Sequence, residues 1–380
     1  MRNTGRSPTE QLAHLPWRQT VYVPRYRRPR RDRRRGAEAL AGDAVVPALP
    51  YPSGWFCAGL SRDWVSGAVR TVLFMGEDIV VYRTRDGRLR ATKAFCPHMG
   101  AHLGVGGRVD GELLVCPFHG FAFGLDGRCE RTPYGTPPRA TLALLHVREA
   151  HGLVWLWHHP SRQPQWELPP LPGIGLRPVL RAKQIELASH PQEILENALD
   201  YGHLLPVHGN LVEEITAPHS DGPFLRLSVR LRRRIPLLGR YVGHGQLTFT
   251  YIGLGAMYSH VDFSRYGFHV IGWMLPLPVA PWRTHYRMAA TVTAVGPLHR
   301  LDRTLGRLIT RTLSRLMVAW FFHDTRADHP IWHHKQYQPH PALNQADGPI
   351  GTYRHWARQF YPPHPSLTKP RSPSEPAPSP

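Results

Sequence analysis

The chain has 380 residues, 42% of them apolar and 19% charged, a balance that suits a folded globular protein and a length that favours two domains over one core. Four cysteines exclude a disulfide framework and fit a reducing, cytoplasmic setting. Much of the +20 net charge is local: eight arginines fall within residues 25–35, a run that either stays solvated or meets nucleic acid, anionic lipid or an acidic redox partner.

Residues 1–48 read as a basic disordered arm, and the first 25 lack the apolar core of a secretory signal. A globular pattern begins at Pro50-Tyr51-Pro52. Short apolar runs at 72–75, 79–82, 113–115 and 153–157 predict strands, with hairpin turns at Asp86-Gly87, Asp110-Gly111 and Asp126-Gly127. Residues 49–160 are therefore expected to form a small β domain, and the proline-rich stretch 160–178 a linker. A second domain is expected over 178–361. It opens with a helix at 191–205, continues with alternating segments at 225–233, 246–252, 256–263, 269–275 and 285–295, and has a helical stretch at 298–334. The alternation predicts an antiparallel sheet. Residues 362–380, rich in proline and serine, read as a disordered tail. No window of 18 apolar residues is present, so no transmembrane helix is expected.

Two loops carry metal-ligand chemistry. Cys96-Pro97-His98 is followed after 17 residues by Cys116-Pro117-Phe118-His119. Each offers one thiolate and one imidazole, which suits a two-iron cluster with both cysteines on one iron and both histidines on the other. A Cys2His2 zinc site is the competing reading, but it usually spaces its paired cysteines by two to four residues. Gly100 and Gly120 are expected to let backbone N–H groups approach the cluster sulfurs. Cys57 and Cys129 read as ordinary buried thiols.

A second constellation is Asn197, Asp200, His203 and His208. With 14 aspartates and 24 histidines, Asp-x2-His-x4-His arises by chance only about 0.06 times. Two histidines with a carboxylate and open positions suit a non-haem ferrous centre that binds O2. Asp200 is either the carboxylate ligand or a hydrogen-bond partner of a ligand histidine. Asp324 and Asp328, four apart on one predicted helix face, are the other carboxylate candidates.

Both motifs resemble the terminal oxygenase components of Rieske non-haem iron oxygenases, over roughly residues 51–361. The run Asp328-His329-Pro330-Ile331-Trp332, then Asp347-Gly348-Pro349-Ile350 and Arg354-His355-Trp356, resembles the subgroup of cholesterol 7-desaturases and 3-ketosteroid 9α-hydroxylases. The resemblance implies an α+β multidomain fold. A β-rich Rieske [2Fe-2S] domain precedes a catalytic domain with a curved antiparallel sheet and flanking helices. It implies Cys96, His98, Cys116 and His119 as cluster ligands and His203, His208 and Asp328 as ligands of a mononuclear Fe(II). It casts Asp200 as a bridge from His203 to His119 of a neighbouring subunit in a homotrimer. O2 as co-substrate, electrons from NAD(P)H through a separate reductase or ferredoxin, and desaturation or hydroxylation of a sterol or steroid follow from the same resemblance. The alternative substrate is another hydrophobic or aromatic molecule. Phe249, Tyr251, Tyr258, Phe263, Phe268 and Trp273 are expected on the strands facing a large apolar substrate. Nucleic acid is not an expected partner, since the basic arm alone would support it. The arm leaves peripheral membrane contact open.

Overall fold

Four antiparallel sheets organise the described residues. The computed structural model describes residues 49–171, 179, 181–234, 241–263, 267–294, 305–344 and 347–362. The arginine-rich arm, residues 295–304, most of 172–180 and the tail from 363 onward lie outside these.

The N-terminal half contains β1 (Gly54–Leu60), β2 (Val69–Phe74), β3 (Glu77–Arg83), β4 (Leu89–Lys93), β5 (Arg108–Asp110), β6 (Leu113–Val115), β7 (Ala122–Phe123), β8 (Cys129–Arg131), β9 (Leu144–Leu145), β10 (Val147–Ala150) and β11 (Leu153–His158). They pair in the orders β1-β11-β10, β2-β3-β4-β9 and β5-β6-β7-β8. The three Asp-Gly pairs join β3 to β4, β5 to β6 and β7 to β8, as their turn chemistry predicts.

The C-terminal half is built on one eight-stranded sheet. Its strands are β12 (Ala182–Leu187), β13 (Asn210–Ile215), β14 (His219–Asp221), β15 (Phe224–Arg234), β16 (Tyr241–Ile252), β17 (Ala256–Phe263), β18 (Phe268–Ala280) and β19 (Arg283–Ala294). The order is β12-β19-β18-β17-β16-β15-β13, with β14 on β15. Strands β12, β13 and β14 escape the sequence reading because they are short and at least half polar, without a clean alternation.

Period-two alternation gives this sheet two faces. Leu225, Leu227, Tyr251, Met257, Met274, Tyr286 and Met288 pack against the helices and Trp332, Tyr353 and Trp356. Ile252, Tyr258, Ile271, Trp273 and Leu275 pack against Trp55, Trp155 and Trp157 of β1 and β11. The six aromatics expected together are therefore split. Tyr251 and Phe249 face the helices. Tyr258 sits opposite Thr250 and Trp273, one residue out of phase with Tyr251, and so faces the N-terminal half. Phe263 and Phe268 pack as a tilted pair at the far end of the sheet, 5.2 Å between ring centroids. Trp273 is wholly buried, 5.3 Å from Tyr258 and 6.0 Å from Trp155. Burying a side chain of this size contributes roughly 1.5–3 kcal/mol.

The two halves are also tied by backbone. The N–H groups of Met75 and Gly76 donate to the carbonyls of Pro278 and Val279, each at 3.0 Å. Pro276 and Pro278 are tolerated in β18 because the pairing with β17 has already ended at Met274. Gly255 allows the closest approach: a Cβ there would lie 1.9 Å from the Trp55 carbonyl oxygen.

Five helices complete the described C-terminal half: α1 (Pro191–Glu196), α2 (Leu204–His208), α3 (Leu305–Asp324), α4 (Asp328–His334) and α5 (Ile350–Ala357). The single helix expected over 191–205 is two short helices with a turn between them. Gly202 and Pro206 disfavour a continuous helix here, because glycine costs backbone entropy and proline cannot donate to the carbonyl four residues back. His190 caps α1: its Nδ1 accepts from the Gln192 N–H and its Nε2 meets the Pro50 carbonyl, both at 3.1 Å. Burial holds this imidazole down at about 4, so it is neutral, with Nε2 as the donor. Likewise α3 and α4 are not one helix. A 3-10 turn, Thr325–Ala327, separates them, so Asp324 and Asp328 do not share a regular α-helical face. No helix among the described residues is long and apolar enough to cross a membrane.

Candidate metal centres

The two cysteine loops are the same turn made twice. In each, the cysteine N–H donates to the carbonyl five residues on, Cys96 to Ala101 and Cys116 to Phe121, both at 2.8 Å. In each, the glycine four residues on donates back to the cysteine carbonyl, Gly100 at 2.9 Å and Gly120 at 3.2 Å. Both glycines are left-handed, with φ of 73° and 69°. Their own N–H groups therefore close the loops, and within the first loop the backbone N–H groups of His98 and Met99 reach the Cys96 sulfur.

Cys96 and Cys116 are buried, and their side chains lie within hydrogen-bonding reach of one another. The rings of His98 and His119 are 4.8 Å apart, and His98 stacks on Phe121 at 4.3 Å. His119 Nδ1 is buried without a hydrogen-bond partner among the described residues. Two adjacent buried thiols, two adjacent imidazoles and an orphaned ring nitrogen fit a [2Fe-2S] group of mixed ligation. Cys57 and Cys129 are buried free thiols outside these loops.

The second centre is assembled from α2 and α4. His203 precedes α2 and His208 ends it, directly before Gly209 in the left-handed region. Asp328 opens α4 and is 1% exposed. The ligand atoms of these three residues lie within 4.8 Å of one another. Asp328 Oδ1 is 3.2 Å from His208 Nε2 and 3.9 Å from His203 Nε2. Among the described residues neither carboxylate oxygen has a hydrogen-bond partner. A buried carboxylate without a donor is costly, and a cation shared with two imidazoles removes that cost. Donors on one ion at about 2.1 Å stand roughly 3–4 Å apart, so a small inward shift suffices. Asp324 is not in this set.

Asp200 stands on the other side of His203. His203 Nδ1 donates to the Asp200 backbone carbonyl, and the Asp200 carboxylate lies 3.7 Å away. A proton on Nδ1 leaves the Nε2 lone pair facing Asp328. Burial opposes ionisation of Asp200, but hydrogen bonding with His203 outweighs it and holds the carboxyl below its ordinary range. Asn197 joins the two elements: its Nδ2 is 3.1 Å from His203 Nε2, and its Oδ1 accepts from Trp332 Nε1 at 3.3 Å.

A buried ion-pair clamp holds this turn, and the sequence reading missed it. Glu196, directly before Asn197, accepts from Arg354 Nε at 2.6 Å and Nη2 at 2.8 Å. Glu193 pairs with Lys335 Nζ at 2.9 Å. Together these bind α1 to α5 and to the end of α4. Arg354 was visible only as part of a motif, since nothing in its spacing from Glu196, 158 residues away, announces the pair.

Two family models match the chain: the Rieske [2Fe-2S] domain over residues 54–147 and the 3-ketosteroid 9α-hydroxylase C-terminal domain over 156–361. The chain belongs to the Rieske oxygenases whose C-terminal domain is of the 3-ketosteroid 9α-hydroxylase type. It is 30% identical to cholesterol 7-desaturase of Bombyx mori over 353 residues, covering 87% of this chain and 74% of that one. It is 27% identical to a 3-ketosteroid-9-alpha-monooxygenase oxygenase component of Rhodococcus rhodochrous, covering 85% and 82%. In fold it is similar to dicamba monooxygenase, with a TM-score of 0.56, 16% identity and coverage of 83% of this chain and 98% of that one. It also resembles Pseudomonas putida NdmA in a caffeine-bound mutant, with a TM-score of 0.60, 19% identity and coverage of 80% and 89%. These two likenesses concern the fold alone. The enzyme is thus an oxidoreductase whose cofactors are a [2Fe-2S] cluster and mononuclear iron.

Proposed function

We propose that the enzyme desaturates or hydroxylates a sterol or steroid, as a cholesterol 7-desaturase does, with electrons delivered from NAD(P)H by a separate reductase or ferredoxin. The carrying observation is the convergence of His203, His208 and the orphaned Asp328 carboxylate within 4.8 Å. Iron bound there supplies O2 activation for attack on an unactivated carbon. His203 presents Nε2 because Asp200 holds the proton on Nδ1.

Cys96, His98, Cys116 and His119 hold the cluster in this reading. Asp200 links His203 to His119 of a neighbouring chain in a homotrimer, and its side chain, 38% exposed, is reachable from outside. Exposed Phe95, Met99 and Phe118 around the cluster loops support such an interface. Peripheral contact with a bilayer is supported by the outer face of α3, where Leu308, Leu316 and Trp320 are exposed beside Arg311 and Arg315. The second substrate reading, 9α-hydroxylation of a 3-ketosteroid, is favoured by the family of the C-terminal domain.

Product analysis with cholesterol and with a 3-ketosteroid, using a surrogate reductase, tests both. A 7,8-alkene from cholesterol supports the first reading, and a 9-hydroxylated ketosteroid the second. Conversion of neither removes the steroid assignment.

A further inference from the structure

Away from both metal centres, a cleft of about 470 Å³ opens between β1–β2 and the β12–β19 edge of the large sheet. Its polar lining includes Arg62, Asp63, Arg70, Gln184, His285 and Arg287. The strand register sets it apart from the iron ligands. Tyr286 and Met288, on either side of Arg287, belong to the helix-facing core, so Arg287 points to the opposite face.

We propose that this cleft binds a small phosphate- or carboxylate-bearing anion, gripped by the guanidinium groups of Arg70 and Arg287. Both groups are held in place by acceptors that carry no charge. Arg70 Nε donates to the Asp63 backbone carbonyl, and Arg287 Nη1 donates to the Cys57 carbonyl at 2.7 Å. Among the described residues neither is paired with a carboxylate. The one acid of the lining, Asp63, is engaged locally: its Oδ2 accepts from the Leu60 N–H at 3.3 Å and its Oδ1 is 3.9 Å from Arg62 Nε. Three arginines against one aspartate leave two positive charges uncompensated in the cleft.

Burial pulls Arg287 below its ordinary range, yet an arginine stays charged, so its desolvation is a standing cost that an anion offsets. His285 adds no competing charge. Burial and the neighbouring Arg287 push it toward the neutral form, and its Nε2 lies 3.3 Å from Glu186. A guanidinium presents parallel donors that match carboxylate and phosphate oxygens two at a time. The volume exceeds that of a bare phosphate, so an organic anion fits the site.

Calorimetric titration of the full-length, iron-loaded protein with sodium phosphate and with citrate, at ionic strength held constant with chloride, tests the proposal. Saturable binding of either probe at one site per chain is expected. Arg70→Ala and Arg287→Gln should each weaken it about tenfold or more. Arg148→Ala, outside the cleft and paired with Glu167, should leave it unchanged. Arg70→Ala is the deciding variant if Arg287→Gln fails to fold, with near-UV circular dichroism as the check. Absence of saturable binding by both probes, or equal affinity in wild type and Arg70→Ala, overturns it.

Discussion

The cluster loops and the His203–His208–Asp328 centre recruit their ligands by different routes. Each cluster loop is a short self-contained turn, closed by its own backbone hydrogen bonds and repeated almost unchanged. The candidate iron centre gathers His203 from just before a short helix, His208 from its end, and Asp328 from another helix 120 residues further along the chain. It exists only while α1, α2, α4 and α5 are held together. Local assembly makes a site robust to distant change, and assembly across the fold makes it hostage to the frame.

The sharpest way to break this contrast is to remove one ligand from each. Asp328→Ala should lower turnover by about a thousandfold or more and abolish mononuclear iron binding, while the cluster absorbance and electron paramagnetic resonance signal persist. Cys116→Ser should do the reverse to the spectra, losing the cluster signal while iron still binds. Loss of both metals in either variant would show that the centres are not independent. Next in size is the clamp. Arg354→Ala strands Glu196 in a buried setting and should cost about 3–5 kcal/mol, read by denaturant unfolding, with iron affinity falling and the cluster spectrum unmoved.

Acid should act on the same frame. His190 is held at about 4 in the folded protein against an ordinary value of 6.5, so between these values the unfolded chain binds more protons. Stability is present above pH 6.5 and falls by about 3 kcal/mol as pH drops through that window to 4. His329, also held at about 4 by burial, adds a slope of the same sign, so urea midpoints measured across the window should fall with pH and His190→Gln should fall less steeply than the parent. The smallest expected effect is at Asp200. Asp200→Asn should reduce turnover about 10- to 100-fold with both metals retained. Unchanged turnover would remove Asp200 from the path between the centres.

This contrast also explains what could be read without the fold. The proposed cluster ligands sit in two contiguous motifs, whose mixed Cys-His pairs and spacing favour a cluster over a zinc knuckle. The hairpins with Asp-Gly turns and the long alternating strands were equally plain, because both signals are local. Asp324 and Asp328 were indistinguishable by spacing, since the 3-10 turn between them depends on packing. Tyr258 and Trp273 were assigned to the substrate side because an aromatic strand residue does not declare its face. Only cross-strand register, Tyr258 against Thr250 and Trp273, reveals it. The Glu196–Arg354 clamp was invisible for a similar reason: a pair so distant in sequence has no periodic signature.

The turn Thr325–Ala327 has a consequence for how this enzyme can evolve. Each residue of an α-helix advances the chain by about 100° about its axis, and each residue of a 3-10 helix by about 120°. Three such residues rotate Asp328 by roughly 60° relative to an uninterrupted α3. That phase brings the carboxylate round to His203 and His208. One inserted or deleted residue in this segment would swing it by nearly a third of a revolution. The length of the segment is therefore under as much constraint as the aspartate itself, and natural variation here should take the form of substitutions, with insertions and deletions confined to loops away from it.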